Sequence, residues 1–190
     1  MKQKLRLLNN EDTILLIIDA QEKLMKNISN RDEIIWNIKR MIKACTLLSV
    51  EKTFSEQNPS KLGHTINSLK SVNPINIYEK MSFSCFGCKE LGDFINSKNK
   101  KNIIVCGVET HVCVLHTCID LLNRDFTPHI ILDAVGSRFL IDHETSLRKL
   151  ELAGAILSTT ESVIFELCKT ADRNEFREIS KIIRETINPH

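Results

Sequence analysis

The sequence lacks three features that would assign the protein to a membrane, an export route or a nucleic acid. It contains no run of about 18 apolar residues, so we expect no membrane span. Residues 1–10 carry basic side chains but are not followed by an apolar stretch of signal-peptide length, so we expect a cytoplasmic protein without a signal peptide. The formal net charge is +2 with dispersed basic residues, whereas a nucleic-acid partner needs a concentrated basic stripe.

Linkers, internal repeats and low-complexity tracts are also missing from the 190 residues. Hydrophobic residues make up 42% of the chain and charged residues 26%, which is the composition of an ordinary globular protein. A chain of this length can enclose a full hydrophobic core. We therefore predict a single domain over residues 1–190.

Short apolar runs alternate with amphipathic stretches along the chain. The runs predict strands at residues 13–18, 52–55, 75–81, 102–106, 128–132 and 155–158. The amphipathic stretches predict helices from Ser29 to about Leu48, at residues 86–98, 110–124, 142–152 and 162–169, and from Asp172 onwards. This alternation predicts an α/β fold with three α-β-α layers, in which a six-stranded, mostly parallel sheet carries helices on both faces.

Local signals suggest where several of these helices begin and end. Ser29 with Asp32, and Asp172 with Glu175, resemble capping boxes, and Thr160 can cap the helix that follows it. Gly154 stands where a helix should stop. Residues 57–76 are polar and long for a connection, so they form either a functional lid or a solvated loop.

Three polar residues stand at the ends of predicted strands. Asp19 follows the first strand, Lys80 closes the third, and Cys113 falls in the first turn of the helix after the fourth. In a parallel sheet these positions share one edge, which is where ligands bind. Each residue type alone is commonly structural, but the three together suggest a reactive site.

The chemistry of this trio is that of a cysteine nucleophile. A helix N-terminus and a nearby lysine both favour the thiolate of Cys113. The carboxylate of Asp19 can accept the thiol proton and return it to a leaving group. Backbone N–H groups in the turn before Cys113 can hold an oxyanion.

Three blocks of the sequence resemble the isochorismatase-like cysteine hydrolases. They are residues 15–21 (LLIIDAQ), 79–86 (EKMSFSCF) and 107–114 (GVETHVCV), and residues 133–138 and 153–162 also fit. The resemblance runs from about residue 13 to residue 167. Residues 55–59 and 62–63 bring it closest to a subgroup of uncharacterised isochorismatase-domain-containing hydrolases.

The resemblance implies a role for particular residues. Asp19, Lys80 and Cys113 match the catalytic aspartate, lysine and nucleophile, and a cis peptide is expected at Val108–Glu109, where it would aim N–H groups at the oxyanion. The pocket is expected to be lined by Gln21, Phe83, Glu109 and His111. The family habit also implies a small-molecule substrate, a homo-oligomer and no cofactor.

Departures from the family pattern narrow the range of activities that we expect. Nicotinamidases of the superfamily hold a metal with an Asp-x-His motif, but the matching stretch here is Ser55-Glu56-Gln57, and His64 nearby has no partners at ligand spacing. We therefore expect no metal. Isochorismate-cleaving members can lack the cysteine, so Cys113 favours attack on a carbonyl carbon. The predicted activity is hydrolysis of a small amide, ureide or related C–N substrate through a thioester.

Other interpretations of the same residues remain open. Cys85 and Cys88 form a C-x-x-C, which in another context is a redox pair. With no second C-x-x-C, a zinc ribbon is unsupported. His111 and His116 flank Cys113, although neighbours on one helix make a poor Cys–His dyad. A catalytically silent scaffold or interaction module is the main alternative to an enzyme.

Overall fold

The computed structural model describes residues 6–70 and 76–187, and a six-stranded sheet forms their centre. The strand order is β3-β2-β1-β4-β5-β6, and every neighbouring pair is parallel. The strands are β1 (Thr13–Ile18), β2 (Glu51–Gln57), β3 (Asn76–Lys80), β4 (Asn102–Val108), β5 (Thr127–Gly136) and β6 (Ile156–Ser158). Every residue of β1 is buried, as expected for a strand covered on both faces.

Helices cover both faces of the sheet and confirm the predicted three-layer α/β fold. They are α1 (Glu22–Met25), α2 (Arg31–Leu47), α3 (Pro59–Leu62), α4 (Asn67–Lys70), α5 (Lys89–Ser97), α6 (Leu115–Leu122), α7 (Leu140–Ala153), α8 (Thr160–Cys168) and α9 (Phe176–Arg184). One hydrophobic cluster packs α2, α8 and α9 against the sheet. A second cluster packs α5, α6 and α7 against the opposite face.

Some predicted helix starts differ from the observed ones, and tertiary contacts explain one difference. Helix α2 begins at Arg31 with Asn30 as its N-cap, two residues after the start predicted near Ser29. Thr160 does not cap α8 but is its first residue, where the carboxylate of Asp133 accepts hydrogen bonds from both its N–H and its hydroxyl at 2.9 Å. Because Asp133 lies in β5, no local signal in the sequence reveals this cap.

The other element bounds differ in smaller ways. The predicted helix at residues 86–98 is a 3₁₀ turn, Cys85–Gly87, followed by α5. The last helix begins at Phe176, not at Asp172, and the fifth strand extends further than predicted. Gly154 ends α7 in the left-handed conformation, as predicted. The predicted start of the third strand at residue 75 lies outside the described residues.

The polar segment predicted at residues 57–76 contains two short helices, α3 and α4. It is tied to the chain that follows β1. Gln21 and Thr65 form an isolated antiparallel bridge, and the N–H of Ile66 donates to the carbonyl of Ala20 at 3.1 Å. The described part of this segment is therefore a packed connection beside the carboxyl edge of the sheet.

Gly107 allows β4 to run close to β1. It pairs with Ile18, its φ is +122°, and an added Cβ would lie 2.0 Å from the Ile18 carbonyl oxygen. We expect Gly107→Ala to lower the free energy of unfolding by about 2 kcal/mol, because backbone atoms must shift to accept the methyl group. Urea unfolding measures this.

Gly92→Ala is the matched control for this prediction. Gly92 lies within α5, and a Cβ there would meet its nearest neighbour, in Phe86, at an ordinary 3.5 Å. Since alanine is the better helix former, this change should leave stability equal or raise it by up to about 1 kcal/mol. Equal losses of unfolding free energy in both variants would show that the close approach of Gly107 to Ile18 is not the cause of its sensitivity to substitution.

Candidate active site

A buried ion pair joins the ends of two strands. The ammonium of Lys80 lies 2.7 Å from Oδ2 of Asp19, and both side chains are fully buried. Lys80 ends β3 and Asp19 follows β1, so the lysine side chain reaches across β2 to make the contact. Asp19 itself adopts a left-handed backbone conformation, with φ of +51°.

The Lys80 ammonium has more acceptors than Asp19 alone. It donates to Oε1 of Gln57 at 3.0 Å and to the carbonyl oxygens of Ser82 and Phe83 at 3.3 and 3.2 Å. Burial lowers the pKa of Lys80, but the negative charge of Asp19, with smaller contributions from Cys85 and Cys113, raises it above its usual value. Lys80 is therefore a fully charged ammonium in the interior.

Two residues of β2, Ser55 and Gln57, hold this ion pair in place. The sequence drew attention to them only because they replace a metal-binding motif. The hydroxyl of Ser55 donates to Oδ1 of Asp19 at 2.7 Å, and the amide of Gln57 binds Lys80 and the Met81 carbonyl. Ser55 and Gln57 are two apart in a strand and so project from the same face. That alternation is the signal by which the pair could have been found.

Gln21 belongs to this supporting network. Its Oε1 accepts from the N–H of Gln57 at 2.7 Å, and its Nε2 donates to the carbonyls of Gln57 and Gly63 at 2.9 and 2.6 Å. The side chain is fully buried. Gln21 therefore holds the segment after β2 in place, which is a different task from the substrate contact expected of it.

Cys113 lies in a π-helical turn, Thr110–Val114, that leads into α6. Burial raises the pKa of its thiol well above the usual range, and the charge and hydrogen bond of Asp19 raise it further, while Lys80 lowers it only in part. Burial and Asp19 therefore outweigh the cation that favours the thiolate, and the resting thiol stays protonated. The structure brings Asp19, Lys80 and Cys113 together, with a protonated thiol beside the carboxylate that can accept its proton.

This environment predicts the pH dependence of Cys113 labelling. Because the raised pKa keeps the thiol protonated at neutral pH, modification by methyl methanethiosulfonate should be slow at pH 7 and increase about tenfold per pH unit up to at least pH 9. Asp19→Asn removes the negative charge that raises this pKa, so labelling at pH 7 should be faster. Mass spectrometry of the Cys113 peptide gives the rates, and a plateau between pH 6 and 8 would contradict the prediction.

The turn before Cys113 does not contain the predicted cis peptide. Residues 6–70 and 76–187 have no cis peptide bond, so the expectation at Val108–Glu109 is wrong for this structure. The chain leaves β4 instead through Gly107, at φ +122°, and Glu109, at φ −17° and ψ 100°. The carbonyl of Glu109 then accepts hydrogen bonds from the N–H groups of Val112 and Val114 at 3.0 and 3.4 Å.

The other predicted pocket residues occupy the same edge of the sheet. Phe83 is half exposed, and its ring makes an edge-to-face contact with His116 at 5.7 Å between centroids. His111 lies with Nδ1 3.0 Å from the hydroxyl of Ser137, and the buried Glu109 places Oε1 2.8 Å from Nε of Arg138. His116 therefore faces Phe83 and gives no support to a Cys–His dyad.

Near the position of the nicotinamidase metal motif, Glu56 and His64 pair with each other. Glu56 Oε2 lies 2.9 Å from His64 Nδ1, and Oε1 accepts from the N–H of Thr65 at 2.6 Å. Burial raises the pKa of Glu56, but the hydrogen bonds from Thr65 and His64 outweigh it and lower the pKa. Within the described part of the chain, no group of three or more metal-binding side chains is found.

The C-x-x-C pair does not have the electrostatics of a redox motif. All seven cysteines are free and buried. Burial, with the charge of Asp19, raises the pKa of Cys85 to about 11, whereas a redox-active cysteine needs a lowered pKa. The N–H of Cys85 donates to the hydroxyl of Thr117 at 3.1 Å, which ties this turn to α6.

The family model of the isochorismatase domain matches residues 13–162. The chain belongs to the isochorismatase family. It is 35% identical over 184 residues to isochorismatase domain-containing protein 2A of Mus musculus, covering 93% of this chain and 85% of the relative. This membership confirms the resemblance carried by the three sequence blocks.

Solved structures of the isochorismatase fold superimpose closely. The MAR1 ribonuclease of Caenorhabditis elegans matches with a TM-score of 0.89 and 36% identity over 97% of this chain and 95% of that one. The YcaC gene product of Escherichia coli, an octameric hydrolase of unknown specificity, matches with a TM-score of 0.89 but 20% identity, over 96% and 91%. The isochorismatase-like chain thus has a fold used by hydrolases, and none of its described helices is long and apolar enough to cross a membrane.

Proposed function

We propose that the protein is a cysteine hydrolase that cleaves the C–N bond of a small amide, ureide or related substrate through Asp19, Lys80 and Cys113. One observation carries the proposal: the thiol of Cys113 lies against a buried Asp19–Lys80 ion pair at the carboxyl edge of the sheet. Burying two charges is costly, and hydrophobic residues could fill the same space. A catalytic role explains why the ion pair is present, because it holds a proton acceptor beside a nucleophile.

The proposed reaction begins when Asp19 takes the thiol proton of Cys113. The sulfur then attacks the substrate carbonyl, forming a C–S bond while the π electrons move to the oxygen, which backbone N–H groups around Glu109 and Cys113 stabilise. Collapse of this intermediate breaks the C–N bond, and the amine leaves with the proton from Asp19. Water, deprotonated by Asp19, then hydrolyses the thioester, and the thiol is regenerated.

Lys80 serves two purposes in this scheme. Its ammonium stabilises the thiolate as the proton moves to Asp19, because its positive charge lowers the pKa of Cys113. It also orients the carboxylate through the 2.7 Å contact to Oδ2, while Ser55 holds Oδ1. The chain's own residues thus supply the nucleophile, the base and the charge, so we propose no cofactor and no metal.

A small molecule fits the site better than a nucleic acid. The C. elegans neighbour is described as a ribonuclease, but this chain has a net charge of +2 without a basic stripe. Around Cys113, Arg138 is already paired with Glu109. Incubation with single-stranded RNA is therefore a useful arm of the activity screen, and cleavage that depends on Cys113 would overturn the small-molecule proposal.

We propose a cytoplasmic homo-oligomer. The octameric YcaC neighbour and an exposed apolar run at the start of α7, Phe139, Leu140 and Ile141, support self-association. Seven free thiols fit a reducing compartment. Light scattering of the purified protein tests the oligomer.

The decisive experiment is a screen of small amides, ureides and carbamoyl compounds with detection of the intact protein by mass spectrometry. A substrate should leave an acyl group on Cys113 that disappears as the acid product forms. The absence of any turnover and of any Cys113 adduct across these compounds would instead favour a catalytically silent scaffold.

A further inference from the structure

A cavity lies at the amino edge of the sheet, opposite the carboxyl edge that holds Asp19, Lys80 and Cys113. Its volume is about 650 Å³, which is within the range of small-molecule sites. Asn102, the first residue of β4, and Thr127, the first of β5, both line it. Because a strand rises about 3.3 Å per residue, β4 separates the cavity from the turn that carries Cys113 by about 20 Å. The cavity is therefore separate from the candidate active site.

The chain before β1 forms one wall of this cavity and is held by long-range contacts. Arg6, Leu7 and Asn9 line the cavity, while Leu8 between them is buried in the hydrophobic core. The N–H of Leu8 donates to Oε2 of Glu166 in α8 at 3.0 Å. Burial of Leu8 and this hydrogen bond fix the wall, so the cavity is a formed part of the fold.

His129 of β5 lines the cavity, and its neighbours fix its tautomer. The residue is only 2% exposed, and its Nε2 lies 3.2 Å from Oδ1 of Asn102. Nδ2 of Asn102 donates to the carbonyl oxygen and to Oδ2 of Asp12, at 3.1 and 3.2 Å, and both of those atoms only accept. Oδ1 of Asn102 is therefore the acceptor that faces Nε2, so Nε2 carries the ring proton and Nδ1 has a lone pair. Burial lowers the pKa of His129 to about 4, so the ring is neutral at neutral pH.

The Nδ1 atom of His129 is unpaired and open to the cavity. The ring makes no further hydrogen bond with residues 6–70 and 76–187. In the same part of the chain, the fully enclosed side-chain atoms without a partner are Thr65 Oγ1 and Glu109 Oε2, and His129 Nδ1 is not among them. Since His129 lines the cavity, Nδ1 is reached from that side. A buried acceptor without a donor costs free energy, which an O–H or N–H of a ligand would offset.

The residues that line the cavity carry an excess of positive charge. Arg6 and Lys101 are both exposed, and neither forms an ion pair with another described residue. Asp12 is the one acid among the described lining residues, and its Oδ1 already accepts from the N–H of Lys101 at 2.6 Å. Two cations and one carboxylate leave a net charge of +1, which favours an anion.

We propose that this cavity binds a small organic anion, which presents a neutral O–H or N–H donor to Nδ1 of His129 and its acidic group to Arg6 and Lys101. The body of the ligand is apolar, because Leu7 and Ile156 also line the space. A cationic ligand is repelled by the two unpaired cations, and an acceptor in place of the donor would face the Nδ1 lone pair. The inference does not rest on the proposed hydrolase, since no residue of the cavity belongs to the candidate active site.

Three aromatic compounds of similar shape test the site by isothermal titration calorimetry on the full chain. The first, para-hydroxyphenylpropionate, has both the donor and the anion. In para-methoxyphenylpropionate an acceptor replaces the donor, and para-hydroxyphenylpropanol lacks the negative charge. The hydroxy acid should bind with a Kd of about 1 mM or below. The other two should bind about tenfold more weakly, because each lacks one of the two polar contacts.

Variants of the lining residues locate the binding. Lys101→Met should weaken binding of the hydroxy acid about tenfold and leave binding of the alcohol unchanged, because only the acid contacts the ammonium. His129→Phe keeps a planar ring but removes Nδ1, so the hydroxy and methoxy acids should bind equally well. Lys100→Met is the matched control, since Lys100 precedes Lys101 but does not line the cavity, and it should keep full affinity.

Thermal unfolding shows whether each variant is folded. His129→Phe also removes a donor from Asn102, whereas the Lys101 side chain is exposed, so Lys101→Met carries the test if His129→Phe does not fold. The proposal is overturned by the absence of saturable binding of the hydroxy acid, by equal affinity for the hydroxy and methoxy acids in the unaltered protein, or by full affinity in Lys101→Met. Turnover at Cys113 enters none of these measurements, so the hydrolase and this site stand or fail separately.

Discussion

Cys113→Ala should abolish turnover of any amide or ureide that the screen identifies, by at least about 10⁴-fold, because no covalent intermediate can form. The structure supports this because the Cys113 thiol is hydrogen-bonded to Asp19, which is paired with Lys80 at the end of the sheet. The acyl adduct that mass spectrometry of the intact protein detects should also be absent from Cys113→Ala. The measurement is kcat/KM together with the mass of the protein during turnover.

Cys118→Ala is the matched control for this change. Cys118 lies on α6, a little more than one turn beyond Cys113, and it is fully buried. Its removal costs packing but no chemistry, so kcat/KM should stay within a few-fold of the unaltered protein. Turnover retained by Cys113→Ala would contradict the mechanism, and equal losses of kcat/KM in both variants would indicate a packing defect.

Lys80→Met should be the most destabilising change in the site. It leaves the Asp19 carboxylate buried without its cation, and it also deprives Gln57 Oε1 and the carbonyls of Ser82 and Phe83 of their donor. Breaking a buried ion pair from one side costs about 3–5 kcal/mol. Chemical denaturation should show a loss of that size, and turnover should be lost as well, because the charge that lowers the pKa of Cys113 is removed.

Two comparisons separate the charge effect from general damage. Adding Asp19→Asn to Lys80→Met removes the orphan charge, so the double variant should be more stable than Lys80→Met alone. Lys89→Met removes a lysine whose pair with Asp93 is exposed, and it should leave stability unchanged. A double variant no more stable than Lys80→Met would mean that the buried charge is not the cause.

The sequence by itself determined the architecture and the membership of the trio. Apolar runs alternating with helical stripes imply a parallel sheet covered on both faces, since each element must bury its apolar side against another. Asp19 follows a strand, Lys80 ends one and Cys113 lies in the turn after a third, so the shared edge of a parallel sheet brings them together. These deductions succeed because the strand period and the helix period are local properties of the chain.

Tertiary structure alone decided what surrounds the trio. Ser55 and Gln57 hold Asp19 and Lys80 from a neighbouring strand, and Asp133 caps a helix 27 residues later in the chain. The turn before Cys113 is made through Gly107 without the cis peptide expected from the family.

The protonation state of Cys113 shows most clearly how local sequence and tertiary structure differ in what they determine. In the sequence, a helix start and a lysine favour the thiolate, but in the folded protein burial and the adjoining carboxylate of Asp19 raise the pKa of the thiol. Desolvation and charge–charge interactions depend on distances between segments that are far apart in the chain. Local sequence therefore predicted the candidate nucleophile, whereas the electrostatic environment of Cys113, and the unpaired oxygen of Glu109 one turn before it, became visible only in the folded protein.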